Sequence, residues 1–195
     1  MTALDVIRAE HRALAAVIHG LLHGVREVRD RGARPDAALF EAMIRYIEAF
    51  PERFHHPKED RYLFRCLRAR DPVSASVLDR LEAEHAEGAR RIHALAAELA
   101  RYRREGAAAL PAFAAEVDAY ATFHWEHMRI EEVEVLPAAE RHLQPEDWAE
   151  IDAAFGSHGD PLFGVDARTE FASLFRRIVE LAPPPVGVRP TSSGN

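Results

Sequence analysis

With 195 residues and a formal net charge of −7, the chain is long enough for one domain with a sizeable core, and its basic residues are interleaved with acids. No cationic stripe exists to neutralise a phosphate backbone, so nucleic acid is not an expected partner. Charges break the N-terminal MTALDVIRAEHRALAAVIHG every few residues, which excludes a signal-peptide core or membrane span there, and the single cysteine, Cys66, cannot form an internal disulfide, so a cytoplasmic protein is expected.

Ala, Leu, Arg and Glu dominate and period-two alternation is rare, which predicts an all-α fold. The first helix should run from about Leu4 to Asp30, its apolar stripe of Leu4, Ile7, Leu14, Ile18, Leu21 and Val25 interrupted by His11. A second, from about Asp36 to Arg68, carries Phe40, Ile44, Ile47, Pro51, Tyr62 and Cys66 on its stripe together with His55 and Glu59. The third opens with Asp71 as N-cap and Pro72 at the first helical position, and its stripe of Leu78, Leu81, Ile92, Leu95 and Leu99 includes His85 and Gly88. The fourth follows Gly106 and Pro111 and carries Phe113, Val117, Tyr120, His124, His127 and Glu131. Short connections near residues 31–35, 69–72 and 106–111 make successive helices antiparallel neighbours, so an up-down-up-down four-helix bundle is expected. A shorter helix after Pro145 ends at Gly156, another is expected after an Asp166 cap, and the two should cover one side of the bundle. One domain is expected over residues 1–182, with the bundle at about 4–142, the C-terminal helices at about 145–182, and a Pro/Ser/Gly-rich disordered tail at 183–195.

Every stripe therefore brings histidine to the core. His55 and Glu59 are four apart, as are His127 and Glu131, so each pair projects from one helix face one turn apart and can share a cation. Burying two carboxylates costs several kcal/mol per ion unless a dication or an ion-pair network compensates. The stripes place no Lys or Arg opposite these carboxylates, which favours the metal. The donors His11, His55, Glu59, His85, His127 and Glu131 are nitrogen and oxygen only, and six exceed what one tetrahedral zinc takes. Two octahedral ions with bridging carboxylates and an oxo or hydroxo bridge fit better, with about two positions left for a small exogenous molecule. Iron is the first choice, with manganese and zinc behind it.

These six residues, one or two per helix in this order, and the strings HHPKED and HWEHMRIEE resemble the hemerythrin-like (HHE cation-binding) family in its bacterial form over about residues 4–142. The resemblance implies a four-helix bundle with a non-haem di-iron centre that binds or reacts with dioxygen, peroxide or nitric oxide. Catalase-like peroxide turnover and a sensor or store without turnover are both open, as is a homodimer. Two departures matter. Where invertebrate oxygen carriers have a second histidine four residues after the helix-three one, this chain has Ala89, and their final aspartate at plus five is replaced by Glu131 at plus four. Both weigh toward peroxide, nitric oxide or iron handling rather than reversible oxygen carriage.

Pro57 removes a backbone hydrogen bond and should kink the second helix, aiming His55 and Glu59 inward. His56, about 100° from His55 on an α-helical wheel, falls off the stripe and reads as a residue behind the ligands or at the surface. His124, Tyr62 and Tyr120 lie on stripes; His124 reads as pocket lining, with ligation in place of a missing histidine as the alternative, and the tyrosines read as packing, with a hydrogen bond to a bound ligand or ligation as alternatives. Gly88 either lets helices approach, leaves room for a small ligand or simply packs. His19 and His23 lack a carboxylate partner and should face solvent, while His93, His142 and His158 stand alone.

Overall fold

The computed structural model describes residues 2–33 and 36–156, and among them every regular element is helical. The expected helix after Asp166, the tail and His158 lie outside the described residues. No helix among those described is long and apolar enough to cross a membrane.

Helix α1 (Ala3–Arg31) starts in a capping box in which Thr2 accepts from the Asp5 amide while Asp5 accepts from the Thr2 amide, and it stops at Gly32, whose φ of 64° only glycine adopts freely. Asp36 caps α2 (Ala37–Ala49) by accepting from the Leu39 amide at 3.0 Å. The chain then continues through a wide π turn at Pro51–His55, one α turn, α3 (His56–Lys58), a second π turn at Glu59–Phe64 and α4 (Arg65–Arg70). Asp71 caps a 3-10 turn at Pro72–Ser74 that leads into α5 (Ala75–Glu105). Beyond Gly106, α6 (Leu110–Ile130) passes through a third π turn at Glu131–Val135 into α7 (Leu136–His142). Last comes α8 (Pro145–Gly156), which packs on α1, where Asp152 accepts from the Ala3 amide at 2.6 Å.

The kink expected at Pro57 takes the form of these π turns. A proline ring clashes with the carbonyl four residues back, and for Pro57 and Pro137 those carbonyls belong to Arg53 and Val133, each inside a π turn. Widening the turn relieves the clash without ending the helix.

Helix α1 packs against α2 and α6, and α5 against the same two. Their apolar faces form two separate clusters. One holds Leu14, Ile18, Met43, Ile47, Ile92, Leu95, Phe113 and Val117; the other holds Ile7, Leu63, Phe64, Leu78, Leu81, Ile130, Leu136, Ile151 and Phe155. Between them, in each of the four helical runs, lie buried polar residues: His11; His55, His56, Lys58 and Glu59; His85; and His124, His127 and Glu131.

Candidate metal centre

Glu59 and Glu131 are fully buried, and none of their four carboxylate oxygens has a hydrogen-bond partner among the described residues. Imidazole nitrogens surround them instead. His11 Nε2 lies 3.2 Å from Glu131 and 3.9 Å from Glu59, His55 Nε2 3.4 Å from Glu59, and His127 Nε2 3.2 Å from Glu131. His85 Nε2 is 3.6 Å from both carboxylates. All six residues expected to bind metal are thus brought together, and ligand atoms lie within 4.8 Å of one another in His11, His55 and Glu59; in Glu59, His85 and Glu131; and in His56, His85 and His127.

Behind each of these four histidines stands a carboxylate that stripe analysis missed. Glu132 lies 3.0 Å from His11 Nδ1, Glu10 2.7 Å from His55 Nδ1, Asp60 2.7 Å from His85 Nδ1 and Glu84 2.9 Å from His127 Nδ1. A carboxylate accepts, so each Nδ1 carries the hydrogen and each Nε2 turns a lone pair to the centre. His85 and His127 then point two such nitrogens at each other 3.0 Å apart, an arrangement that calls for a positive charge between them. These orphaned oxygens and facing lone pairs fit a cation centre. The missed acids had a signal: Glu10, Asp60, Glu84 and Glu132 each sit one residue from an inward ligand, and a one-residue step on a helix points sideways to the next helix.

Protons occupy part of this role in the chain's own electrostatics. Burial disfavours a charged imidazole, yet Glu131 and Glu132 raise His11 to about 9, and Glu131 and Glu84 raise His127 to about 10. His85 is raised too, Asp60 and Glu131 outweighing its burial. Burial and the adjacent Glu131 hold Glu59 well above the carboxylate range, whereas His127, His11 and His85 overcome burial and keep Glu131 well below it.

The chain belongs to the hemerythrin HHE cation-binding family. Its sequence matches the description "Hemerythrin HHE cation binding domain" over residues 2–139, which spans all six central residues and the four acids behind them. No curated relative and no solved structure matches the chain.

The remaining candidates of this hemerythrin-like domain separate cleanly. His56, placed off the stripe by α-helical spacing, is only 4% exposed, because the π turn before it takes smaller angular steps and lets adjacent residues face inward together. His124 and Tyr120 are both buried, their rings 4.4 Å apart, and the Tyr120 hydroxyl and both His124 nitrogens have no hydrogen-bond partner among the described residues. Burial pushes His124 well down and Tyr120 well up. Tyr62 is not brought to the centre; it lines a surface recess with Arg53, Pro57 and Arg61. His19 is exposed with its ring tilted against Trp125 at 4.8 Å, and His23 is half-buried. One buried cation is a residue that the stripes did not single out. Lys58 is buried with Nζ over the Phe155 ring, and Glu10 is the charge that offsets its burial. No Lys or Arg pairs with Glu59 or Glu131 among the described residues, so their charge is still left to histidine and a cation.

Proposed function

We propose that this hemerythrin-like domain holds two iron ions in an up-down-up-down four-helix bundle and works on dioxygen, peroxide or nitric oxide. The observation that carries the reading is the pair of buried carboxylates without hydrogen-bond partners, ringed by histidines that are each fixed from behind by an acid. Bound there, iron supplies reversible redox chemistry toward small oxygen and nitrogen species.

The alternating topology has two supports. Helix α1 leaves the Ile7 cluster for the Leu14 cluster, the α2 to α4 run goes the opposite way, α5 reverses again, and the α6 to α7 run reverses once more. Moreover, Glu10 reaches His55, Asp60 reaches His85, Glu84 reaches His127 and Glu132 reaches His11, a closed circuit through four consecutive helical runs. The acids sit alternately one residue before and one after the ligand on their own helix. A one-residue step rotates oppositely on helices of opposite direction, so a circuit of one sense needs that alternation of sign.

Glu59 and Glu131 each face three histidines or carry one on either side, which suits carboxylates that span two cations. The apolar clusters above and below keep water from the layer. On one flank the Tyr120 hydroxyl is available to donate a hydrogen bond to a small ligand. Manganese and zinc suit the same donors less selectively.

Anaerobic reconstitution with iron(II), metal analysis, and optical spectra after air, nitric oxide and peroxide test the reading. About two irons per chain and spectral change with peroxide are expected; many peroxides consumed per site mark an enzyme, one per site a sensor or store. A chain that takes up no iron overturns it.

A further inference from the structure

We propose that His56 is a fifth imidazole ligand, completing with His85 and His127 a three-nitrogen face for one cation while His11, His55 and Glu59 hold the other. This rests on the two-cation reading above and assigns the ligands within it.

Without His56 each cation has two imidazoles. His11 and His55 stand with Glu59 in one tight group, and the opposite end has only His85 and His127 besides the shared carboxylates. Ala89, one turn beyond His85 on α5, is exposed and offers nothing. His56 adds a third nitrogen at that end: one of its nitrogens lies within 4.8 Å of ligand nitrogens of both His85 and His127, and its ring centroid is 4.3 Å from that of His85 and 5.5 Å from that of His127.

An acid also stands behind His56, beyond hydrogen-bond distance of its Nδ1. Glu52 Oε2 lies 3.6 Å from His56 Nδ1, an acid placed behind the ring as Glu10 is behind His55, although at a longer distance. The Glu52 side chain is 8% exposed and its Oε1 has no hydrogen-bond partner among the described residues, a burial cost that a cation on His56 would partly offset. Room for that carboxylate comes from Gly88. A Cβ at position 88 would lie 2.7 and 2.8 Å from the two Glu52 oxygens, so any larger residue there displaces Glu52 or the helix that carries it. Gly88 on α5 and Glu52 on the π turn thus act as positioning residues for His56, and the space the glycine leaves is filled by protein rather than by a ligand.

The test uses the full chain and cobalt(II) alone as probe, titrated anaerobically with metal analysis and visible absorption as readouts. Wild type should take up two equivalents. His56→Ala should keep one and weaken the other about tenfold or more, with free imidazole restoring it, and Gly88→Ala should weaken the same equivalent. Because either variant can fail to fold, the cobalt-loaded wild type gives an independent count: hyperfine-shifted, exchangeable imidazole N–H signals should come from His11, His55, His56, His85 and His127. Absence of the His56 signal, or a His56→Ala chain that binds both equivalents as wild type does, overturns the assignment and leaves the two-cation reading standing. Wild type that never takes up a second equivalent overturns the two-cation reading, and this assignment with it.

Discussion

Glu59 and Glu131 are chemically identical and stand in one buried layer, yet the histidines around them divide their roles. Glu131 is approached by His11, His85 and His127, which hold it well below the carboxylate range, while burial and Glu131 hold Glu59 well above that range and so favour a proton there. In metal-free protein, Glu131→Gln should therefore cost roughly 3–5 kcal/mol, since it strands the imidazolium groups. Glu59→Gln, which imitates the protonated acid, should change stability by less than about 1 kcal/mol. Urea unfolding of both variants decides the point, and equal losses would mean that the proton does not rest on Glu59. Both substitutions should abolish uptake of at least one cation. Glu10→Gln should lower metal affinity about 10–100-fold with the helical circular dichroism spectrum unchanged, because it loosens His55 rather than removing a ligand.

At the scale of the helix, three π turns fall where ligands are carried, and two of them precede a proline by two residues. Each extra residue in a turn forfeits regular α geometry, so the chain gives up local stability for the direction in which His55, His56 and Glu131 face. Pro57→Ala restores a backbone donor and lets the turn tighten toward α. Its metal-free form should gain roughly 1–3 kcal/mol, while its metal affinity falls. A variant that is more stable and binds cations as tightly as wild type would show that the proline does nothing for the site.

Across the whole molecule, two apolar clusters are clamped together through one polar layer, so the state of that layer should govern global stability. Saturating metal at 100 times Kd should add about 2.7 kcal/mol, and chelation should lower Tm by roughly 5–10 °C in differential scanning calorimetry. Protonation acts with a definite sign. His11 and His127 are raised from 6.5 to about 9 and about 10, so the stability they add to metal-free protein is full below pH 6.5 and is lost as pH rises through those values. His56, lowered to about 4, works the other way: its contribution is full above 6.5 and is lost as pH falls toward 4. Metal-free Tm should thus peak near the ordinary histidine range, and cation affinity should climb between pH 6.5 and 9 as the competing protons leave. A Tm that climbs steadily over that interval would show that the carboxylates do not hold those protons.

Much of this was written in the periodicity of the chain. The helices, the Asp71 cap, the break at Gly106 and the six central residues were legible in the chain, because apolar stripes, one-turn pairs and capping residues are properties of a single α-helix. What spacing could not supply was anything that depends on a second helix or on a turn that departs from 3.6 residues. Glu10, Asp60, Glu84 and Glu132 act across helix pairs, and only packing shows which histidine each one reaches. His56 faces inward and Tyr62 is only partly buried, away from the centre, because the π turns shift the phase of the wheel on which both were placed. Lys58 is buried because the close approach of α8 brings Phe155 over its ammonium group, a contact between residues far apart in the chain that no local pattern encodes.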